Sequence, residues 1–245
     1  VRKKEIGIGI TTYNRPELLK FTLMQFRKFG GDIVVIDDCS KAKYPDDPCI
    51  IRNKERLGIA RSKNRCLSLL RDYKRIFLFD DDCFPIVPNW WQPFIDGGEH
   101  HYIYGCKPPI EVVKHVDGKT WWKDVLGCCM MVDQTVLKTV GGMDTRFIMW
   151  GYEHAEYSNR IHNVGLTPYP YITPQNVKKL IYSFDMFGSY EGFEWKCQSS
   201  IGKAEKDRYN AVNLEIFVKL KGGTQYCEFK EEVNDRPSIS KQHTK

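Results

Sequence analysis

No run of apolar residues in this chain approaches the length of a membrane span, and no charged start leads into an apolar signal-like segment. There is no Gly-x-x-x-x-Gly-Lys-Ser/Thr loop, which removes the usual phosphate cradle of a phosphoryl-transfer enzyme. The nine cysteines, an odd number, contain no Cys-x-x-Cys pair. That argues against a disulfide framework or a zinc site and for reduced thiols buried in strands and helices, as in the cytosol. Internal repeats and low-complexity linkers are absent. A net charge of +6 suits an anionic substrate, but is too small to argue for nucleic acid without a clustered patch.

What the chain does contain is apolar material for a core. Hydrophobic residues make up 42% of the 245, so one large α/β domain or two small ones is expected rather than disorder. Ile6-Gly7-Ile8-Gly9-Ile10 reads as a first strand. Pro16 suits the first turn of a helix that carries Leu18, Leu19, Phe21 and Phe26 and stops at Gly30-Gly31. Ile33-Val34-Val35-Ile36 is a second buried strand, ending in Asp37-Asp38-Cys39-Ser40, and strand, helix, strand implies a right-handed parallel crossover. Cys49 to Asn53 is a short third strand. Gly58 then opens a helix bearing Arg61, Lys63, Asn64 and Arg65, read as an amphipathic helix with a wet basic face or as a receiver of phosphate.

The centre of the chain is Arg75-Ile76-Phe77-Leu78-Phe79-Asp80-Asp81-Asp82. Four apolar residues make a strand buried on both faces, and three carboxylates follow at its C-terminal end. In open α/β sheets ligands bind at that edge. Two aspartates two apart in extended chain can aim at one point, as a hard divalent cation requires; the competing reading is a solvated acidic exit from the strand. Farther on, Tyr102 to Gly105 and Leu126 to Val132 read as strands. Residues 105–125 read as a mobile loop or hairpin, and Asp133 as a helix N-cap. Trp90, Trp91, Trp121 and Trp122 are either core or an aromatic shelf. Trp150-Gly151-Tyr152 leads into a helix where Glu153 and Glu156 share a face. Arg160, four beyond Glu156, is its expected ion-pair partner, so Glu153 is the freer acid. Leu214 to Val218 and Tyr226 to Phe229 around Gly222-Gly223 read as a C-terminal β-hairpin, and residues 234–245 as a frayed tail.

Taken in order, these stretches resemble the family-2-like glycosyltransferases of the GT-A fold. Ile8 to Pro16 is similar to their opening strand and nucleotide loop, and Val35 to Ser40 to their second strand with its acidic end. Leu57 to Asn64 resembles their glycine-led helix, and Asp80-Asp81-Asp82 their Asp-x-Asp metal motif. Trp150-Gly151-Tyr152-Glu153 resembles the Trp-Gly-x-Glu segment of galactosyl- and N-acetylgalactosaminyltransferases.

The resemblance implies a mostly parallel, Rossmann-like central sheet flanked by helices. It implies a catalytic domain over residues 1–190, with a nucleotide-binding half at 1–85 and an acceptor half at 86–190, and an extension at 191–245 packed on the same domain. Thr11, Tyr13, Arg15, Arg61 and Asp37 or Asp38 would face the nucleotide, with Asp80 and Asp81 beside it. Asp82 and Asp80 would bind Mn²⁺ or Mg²⁺, with Asp185 as the oxygen substitute for a later histidine, none lying between His162 and His243. Glu153, Glu156 or His154 would be the base for the acceptor hydroxyl.

The implied reaction moves a sugar from a nucleoside diphosphate, UDP first among them, to a glycan or other hydroxyl acceptor with inversion. A retaining transferase of the same fold and a non-catalytic nucleotide-sugar or glycan-binding module are the alternatives. A nucleotidyltransferase usually wants a glycine-rich basic first loop, which Thr11 to Pro16 is not. Nucleic acid is a less favoured acceptor. A cytoplasmic setting is expected, and the basic residues Arg2, Lys3 and Lys4 leave open a peripheral contact with a membrane.

Overall fold

The computed structural model describes residues 4–104, 111–195 and 201–230 of the chain. Arg2 and Lys3, the first part of the expected 105–125 loop and the expected 234–245 tail lie outside them. Strand β1 (Lys4–Thr12) leads into helix α1 (Pro16–Phe29), with proline in its first turn and Gly30 at φ 75° ending it. Strands β2 (Asp32–Asp37) and β3 (Ile50–Arg52), helix α2 (Ile59–Leu69) and strand β4 (Tyr73–Asp80) complete the first half. Then come β5 (Cys83–Pro85), α3 (Gln92–Asp96), β6 (His101–Tyr104), β7 (Val112–Val116), β8 (Lys119–Trp122), β9 (Cys129–Asp133) and α4 (Gln134–Thr139). The remainder is α5 (Glu153–Asn163), β10 (Ile172–Pro174), β11 (Ile181–Ser183), α6 (Phe184–Phe187), β12 (Ser189–Tyr190), β13 (Phe193–Glu194) and α7 (Lys203–Leu220).

The central sheet runs β3-β2-β1-β4-β9-β6. Its first four strands are parallel, and β9 is antiparallel to both β4 and β6. The chain leaves β1 toward β2 on one side and returns to β4 on the other. Strand order therefore reverses between β1 and β4, the place where open α/β sheets form a ligand crevice. Register puts Thr12 opposite Asp37 and Thr11 opposite Asp80, so three loops meet at that edge. The glycines of β1 explain themselves by packing. A Cβ on Gly9 would stand 2.6 Å from Cys66 Cβ, and one on Gly7 about 2.9 Å from the Tyr73 ring, so α2 and the start of β4 lie directly on the strand.

The core beneath the sheet is largely aromatic. Phe77 packs edge-on to Trp90 with centroids 4.7 Å apart and to Phe94 at 5.3 Å, while Phe26 meets Phe79 at 4.9 Å. Each such ring contributes roughly 1.5–3 kcal/mol by burial, with about 0.5–1.5 kcal/mol more per well-oriented pair. Trp90 is thus core, not shelf. Trp122 is also buried and donates from Nε1 to Thr173 Oγ1 at 2.9 Å, and Trp121 stacks on Tyr169 at 4.9 Å. Within the expected 105–125 loop, β7 and β8 form a hairpin turning at Asp117 and Gly118, both at positive φ, the Asp-Gly signature of a two-residue turn. Asp133 caps α4 as expected, accepting from the amides of Thr135 (2.8 Å) and Val136 (3.2 Å). The seven described cysteines are free thiols.

The expected hairpin between Leu214 and Phe229 does not form. Leu214 to Leu220 belong to α7, which begins at Lys203. The five-residue alternation there is part of a longer helical pattern: Asn213, Ile216, Phe217 and Leu220 turn toward the protein at helical spacing. Lys203 to Leu220 contains no proline or glycine to interrupt a helix. The small antiparallel pairings lie elsewhere, including β12 with β13 and β5 with β11.

Candidate active site

At the crevice between β1 and β4 the carboxylates separate by environment. Asp81 is wholly buried. Arg15 grips it through two nitrogens, Nε donating at 3.2 Å, and the Thr12 hydroxyl donates at 2.5 Å. Thr22 also donates to the Asp81 carbonyl at 2.6 Å. Asp81 therefore ties the end of β1 to the end of β4 and stands behind the cleft, not on the nucleotide side expected of it. Burial pushes its acid up to about 6 against the pull of Arg15.

Asp82 differs. Its Oδ2 lies 3.4 Å from Arg15 Nη1, but its buried Oδ1 has no hydrogen-bond partner among the described residues. Burial raises its acid well above the usual range; Arg15 opposes this, and the neighbouring charge of Asp185 adds to it. Asp185 is delivered by backbone pairing, since β11 lies on β5 and the Phe184 amide donates to the Asp82 carbonyl at 2.9 Å. Asp80, Asp82 and Asp185 line one cleft together with Thr11, Tyr13, Arg15 and Asp38.

Asp80 has a partner that sequence reasoning assigned to the wet face of α2. Lys63 is 2% exposed, and its Nζ lies 2.8 Å from Asp80 Oδ1. Helix phase makes the exchange: Lys63 turns inward with Ser62 and Asn64, while Arg61, expected at the nucleotide, is exposed and off the cleft wall. The cleft cation from this region is Arg56, whose guanidinium stacks 4.3 Å over the Tyr13 ring.

Asp37 is likewise set back. It accepts from the Ser40 amide at 3.0 Å and from its hydroxyl, forming the turn after β2. Asp38 reaches the cleft, but accepts from the Leu57 and Gly58 amides (2.7 and 2.9 Å), Asn53 Nδ2 (2.9 Å) and Ser62 Oγ (3.2 Å). Three of those donors meet Oδ1 and the Gly58 amide meets Oδ2, so Asp38 shapes the entry to α2 from the cleft wall.

The second acidic region begins at the turn before α5. Met149 (φ 50°), Gly151 (φ 108°) and Tyr152 (φ 68°) sit in the left-handed region, where non-glycine residues are strained. This turn presses on Gly58, where a Cβ would stand 2.7 Å from Met149 Cα, and the Ile59 amide donates to the Met149 carbonyl at 2.9 Å. The glycine that opens α2 thus lets the Trp150-Gly151 turn reach the cleft, and Met149 and Trp150 line it.

Glu156 is fully buried against Arg160, whose Nε and Nη2 donate at 2.8 and 3.1 Å. The same guanidinium donates to the carbonyls of Val140 (2.6 Å) and Gly142 (2.7 Å). Glu156 is a strut in the core, as the four-residue spacing to Arg160 foretold.

Glu153 accepts from the Gly151 amide at 2.8 Å and faces His154 Nδ1 at 3.3 Å. His154 Nε2 lies 3.2 Å from the Val125 carbonyl, which can only accept. Both ring nitrogens therefore face acceptors, and the imidazolium is the form that satisfies both. Burial lowers the His154 pKa, but Glu153 outweighs it and the net shift is upward. Burial raises the Glu153 acid, but His154 outweighs it and the net shift is downward. His154 packs on Gly127, where a Cβ would meet its ring at 2.5 Å, and the Gly127 carbonyl lies 3.5 Å from Lys63 Nζ. Asp80, Lys63, Gly127, His154 and Glu153 form one continuous chain of contacts.

Among the described residues no group of three His, Cys, Asp or Glu side chains is arranged to hold a metal ion as it stands. The donor set nonetheless fits a hard cation. Asp82 carries a buried oxygen with no partner among the described residues, and Asp80 and Asp185 line the same cleft. Such ions complete their shell with water and substrate phosphate oxygens, so a full protein cage is not required.

The family model described as "Glycosyl transferase family 2" matches residues 8–126, and one described as "N-terminal domain of galactosyltransferase" matches residues 107–187. An uncharacterized glycosyltransferase of Acanthamoeba polyphaga mimivirus is 25% identical over 197 residues, covering 67% of this chain and 75% of that protein. Among solved structures, GalNAc-T7 with UDP, GalNAc and Mn²⁺ superposes with a TM-score of 0.56 at 14% identity, covering 71% of this chain and 45% of that one. The mannosyltransferase PcManGT of Pyrobaculum calidifontis, in complex with GDP-Man and Mn²⁺, gives 0.53 at 17% identity, covering 72% and 56%. The chain thus spans about half the length of these two structures, and at such identities they speak to the fold.

Proposed function

We propose that this chain, whose residues 8–126 match the glycosyl transferase family 2 model and whose fold is that of the GT-A glycosyltransferases, transfers a sugar from a nucleoside diphosphate to an acceptor hydroxyl with inversion. The observation that carries the donor assignment is the buried, unpartnered Oδ1 of Asp82 in a cleft shared with Asp80 and Asp185, at the strand-order reversal between β1 and β4. A divalent cation bound there, Mn²⁺ or Mg²⁺, supplies positive charge against the diphosphate as it departs.

The chain's own residues do the rest. Asp82 and Asp80, with Asp185 beside them, hold that ion, and Lys63 fixes the Asp80 carboxylate from behind. Arg15 spans Asp81 and Asp82 and keeps the strand ends together. Thr11, Tyr13 and Arg56 border the nucleoside, with the Arg56–Tyr13 stack as its platform. Residues 1–85 thus provide most of the donor site, and the later half provides the catalytic carboxylate. Glu153 removes the acceptor proton as the hydroxyl attacks the anomeric carbon. It is held ionised by His154 and aimed by the Gly151 amide. Inversion follows from attack opposite the leaving diphosphate. UDP is the first nucleotide to test; the two solved neighbours hold UDP and GDP-Man. A glycan or another hydroxyl compound is the acceptor class. Among the described residues no helix is long and apolar enough to cross a membrane.

The test is calorimetric titration of a panel of nucleoside diphosphates with and without Mn²⁺. Metal-dependent binding of one base is expected. Absence of binding by any of them to folded protein makes Asp80 to Asp82 a structural cluster and leaves only the fold in common with these enzymes.

A further inference from the structure

Both family matches end by residue 187, yet the cleft does not. Its lining includes Lys206 from the first turns of α7, together with Ile201 just ahead of that helix. Three independent contacts bring α7 there. The Asn213 side chain, completely buried, donates to the carbonyls of Ile148 (2.8 Å) and Trp150 (3.0 Å) and accepts from the Ile148 amide (3.1 Å). Phe217 stacks on Tyr152 with centroids 5.3 Å apart. Gly151 comes so close to α7 that a Cβ there would lie 2.4 Å from Asn210 Oδ1. The strained turn carrying Trp150, Gly151 and Tyr152 is therefore built on α7, and the helix cannot shift without moving the approach to Glu153.

The same helix touches both walls of the cleft. Glu205 Oε1 pairs with Arg56 Nη1 at 3.0 Å, on the wall where Arg56 covers Tyr13. Lys206 Nζ lies 4.7 Å over the Trp150 ring on the other. The cations around the cleft differ in what engages them. Arg15 is committed to Asp81 and Asp82, Lys63 to Asp80 and Arg56 to Glu205. Lys206 pairs with no carboxylate among the described residues, and its ammonium rests on an aromatic face, where it is steered without being neutralised.

We propose that Lys206 is a donor-binding residue: its ammonium contacts the diphosphate of the nucleotide sugar, and the Asn213 clamp on the Ile148–Trp150 turn places it there. This rests on the glycosyltransferase reading of the cleft. It gives α7, outside both matched stretches, a part in the donor site rather than in packing alone. A lysine is suited to this position, since a compact ammonium on a flexible stem meets phosphate oxygens as a point charge.

The experiment compares wild type, Lys206→Met and Lys206→Arg. UDP and GDP are titrated by calorimetry at fixed Mn²⁺, and uridine and guanosine by ligand-observed NMR. Lys206→Met is expected to weaken the diphosphate that wild type binds by roughly 10- to 100-fold, as for loss of one charge-assisted hydrogen bond. Nucleoside affinity is expected to stay within about twofold, and Lys206→Arg to retain most of the diphosphate affinity, since the contact is ionic. Wild-type diphosphate affinity in Lys206→Met overturns this inference while leaving the glycosyltransferase reading intact. So does an equal loss for nucleoside and diphosphate. Failure of the wild type to bind either diphosphate overturns both.

Discussion

The end of β4 and the start of α5 each present closely spaced acids, and each treats them unequally. At β4, Asp81 is held by Arg15 and Thr12, while its neighbour Asp82 keeps a buried oxygen without a partner among the described residues. At α5, Glu156 is locked by Arg160, while Glu153 is held by one amide and one imidazole. In both regions one acid is locked by an arginine into the fold, and the other is the one proposed to serve the chemistry. The regions differ in what surrounds that arginine. Arg160 is fully enclosed and also satisfies backbone carbonyls, so its pair belongs to the core. Arg15 is 17% exposed on its side chain and lines the cleft, so its pair is both strut and wall. Acid spacing alone therefore does not separate the two members of each pair; their hydrogen-bond partners do.

The sharpest test of this division is to neutralise each glutamate of α5 in turn. Glu153→Gln is expected to reduce transfer by roughly 10²- to 10⁴-fold, the usual worth of a positioned base, with donor affinity unchanged. A near-normal rate would move the base elsewhere. Glu156→Gln is expected to act on stability instead. It leaves the Arg160 charge buried without its partner, a loss of about 3–5 kcal/mol, read from denaturant unfolding. If Glu156→Gln were as stable as wild type but inactive, the roles assigned to the two acids would have to be exchanged.

The corresponding test at β4 uses Asp82→Asn and Asp81→Asn. Asp82 sits buried among like charges, so making it neutral removes repulsion as well as a ligand. Metal-free Asp82→Asn is expected to melt about 2–4 °C above wild type, the shift that corresponds to roughly 1 kcal/mol in a domain of this size. It is also expected to lose the further stabilisation that Mn²⁺ with nucleoside diphosphate gives the wild type. Asp81→Asn should do the reverse, melting lower because Arg15 and Thr12 lose their acceptor. A lower melting temperature for metal-free Asp82→Asn would mean that its unpartnered oxygen is not the strained member of the pair.

Much of the scaffold was legible in the sequence, because buried strands write themselves as short apolar runs and their ends as glycine, proline or acid. Ile8-Gly9-Ile10, Ile33 to Ile36 and Ile76 to Phe79 became the parallel centre of the sheet. Arg160 four residues beyond Glu156 disclosed the core pair. Three features were not legible, for physical reasons. Lys63 and Arg61 are two apart on α2, and only the seating of the helix on β1 decides which turns inward. Asp37, Asp38 and Asp81 read as equal to Asp82, since the donors to Asp38 and the arginine on Asp81 come from segments distant in sequence, and the Ser40 turn that engages Asp37 exists only in the folded chain. In α7 a five-residue alternation masked a helix whose inward side rests on one asparagine, an unusual core residue chosen here to bind a strained turn.

The smallest effect expected is also the most specific to the start of α5, and it concerns pH. The His154 pKa is raised in the fold above its usual 6.5, so the stability it contributes is complete below that value and is lost as pH rises through the folded pKa. The Glu153 pKa is lowered below its usual 4.5, so its contribution is complete above that value and is lost as pH falls through the folded pKa. The two overlap between pH 4.5 and 6.5, where the ion pair is fully present in the native state. His154→Gln keeps a side chain that can donate to Glu153, but removes the charge. Its deficit in melting temperature relative to wild type is expected to be greatest in that window and to shrink on the alkaline side as wild-type His154 loses its proton. The Glu156–Arg160 pair, whose arginine does not titrate in this range, supplies the control: a Glu156→Gln deficit should not shrink on that side. A His154→Gln deficit that stayed level from pH 5 to 9 would mean that His154 is neutral in the fold, leaving the Gly151 amide as the group that holds Glu153 in place.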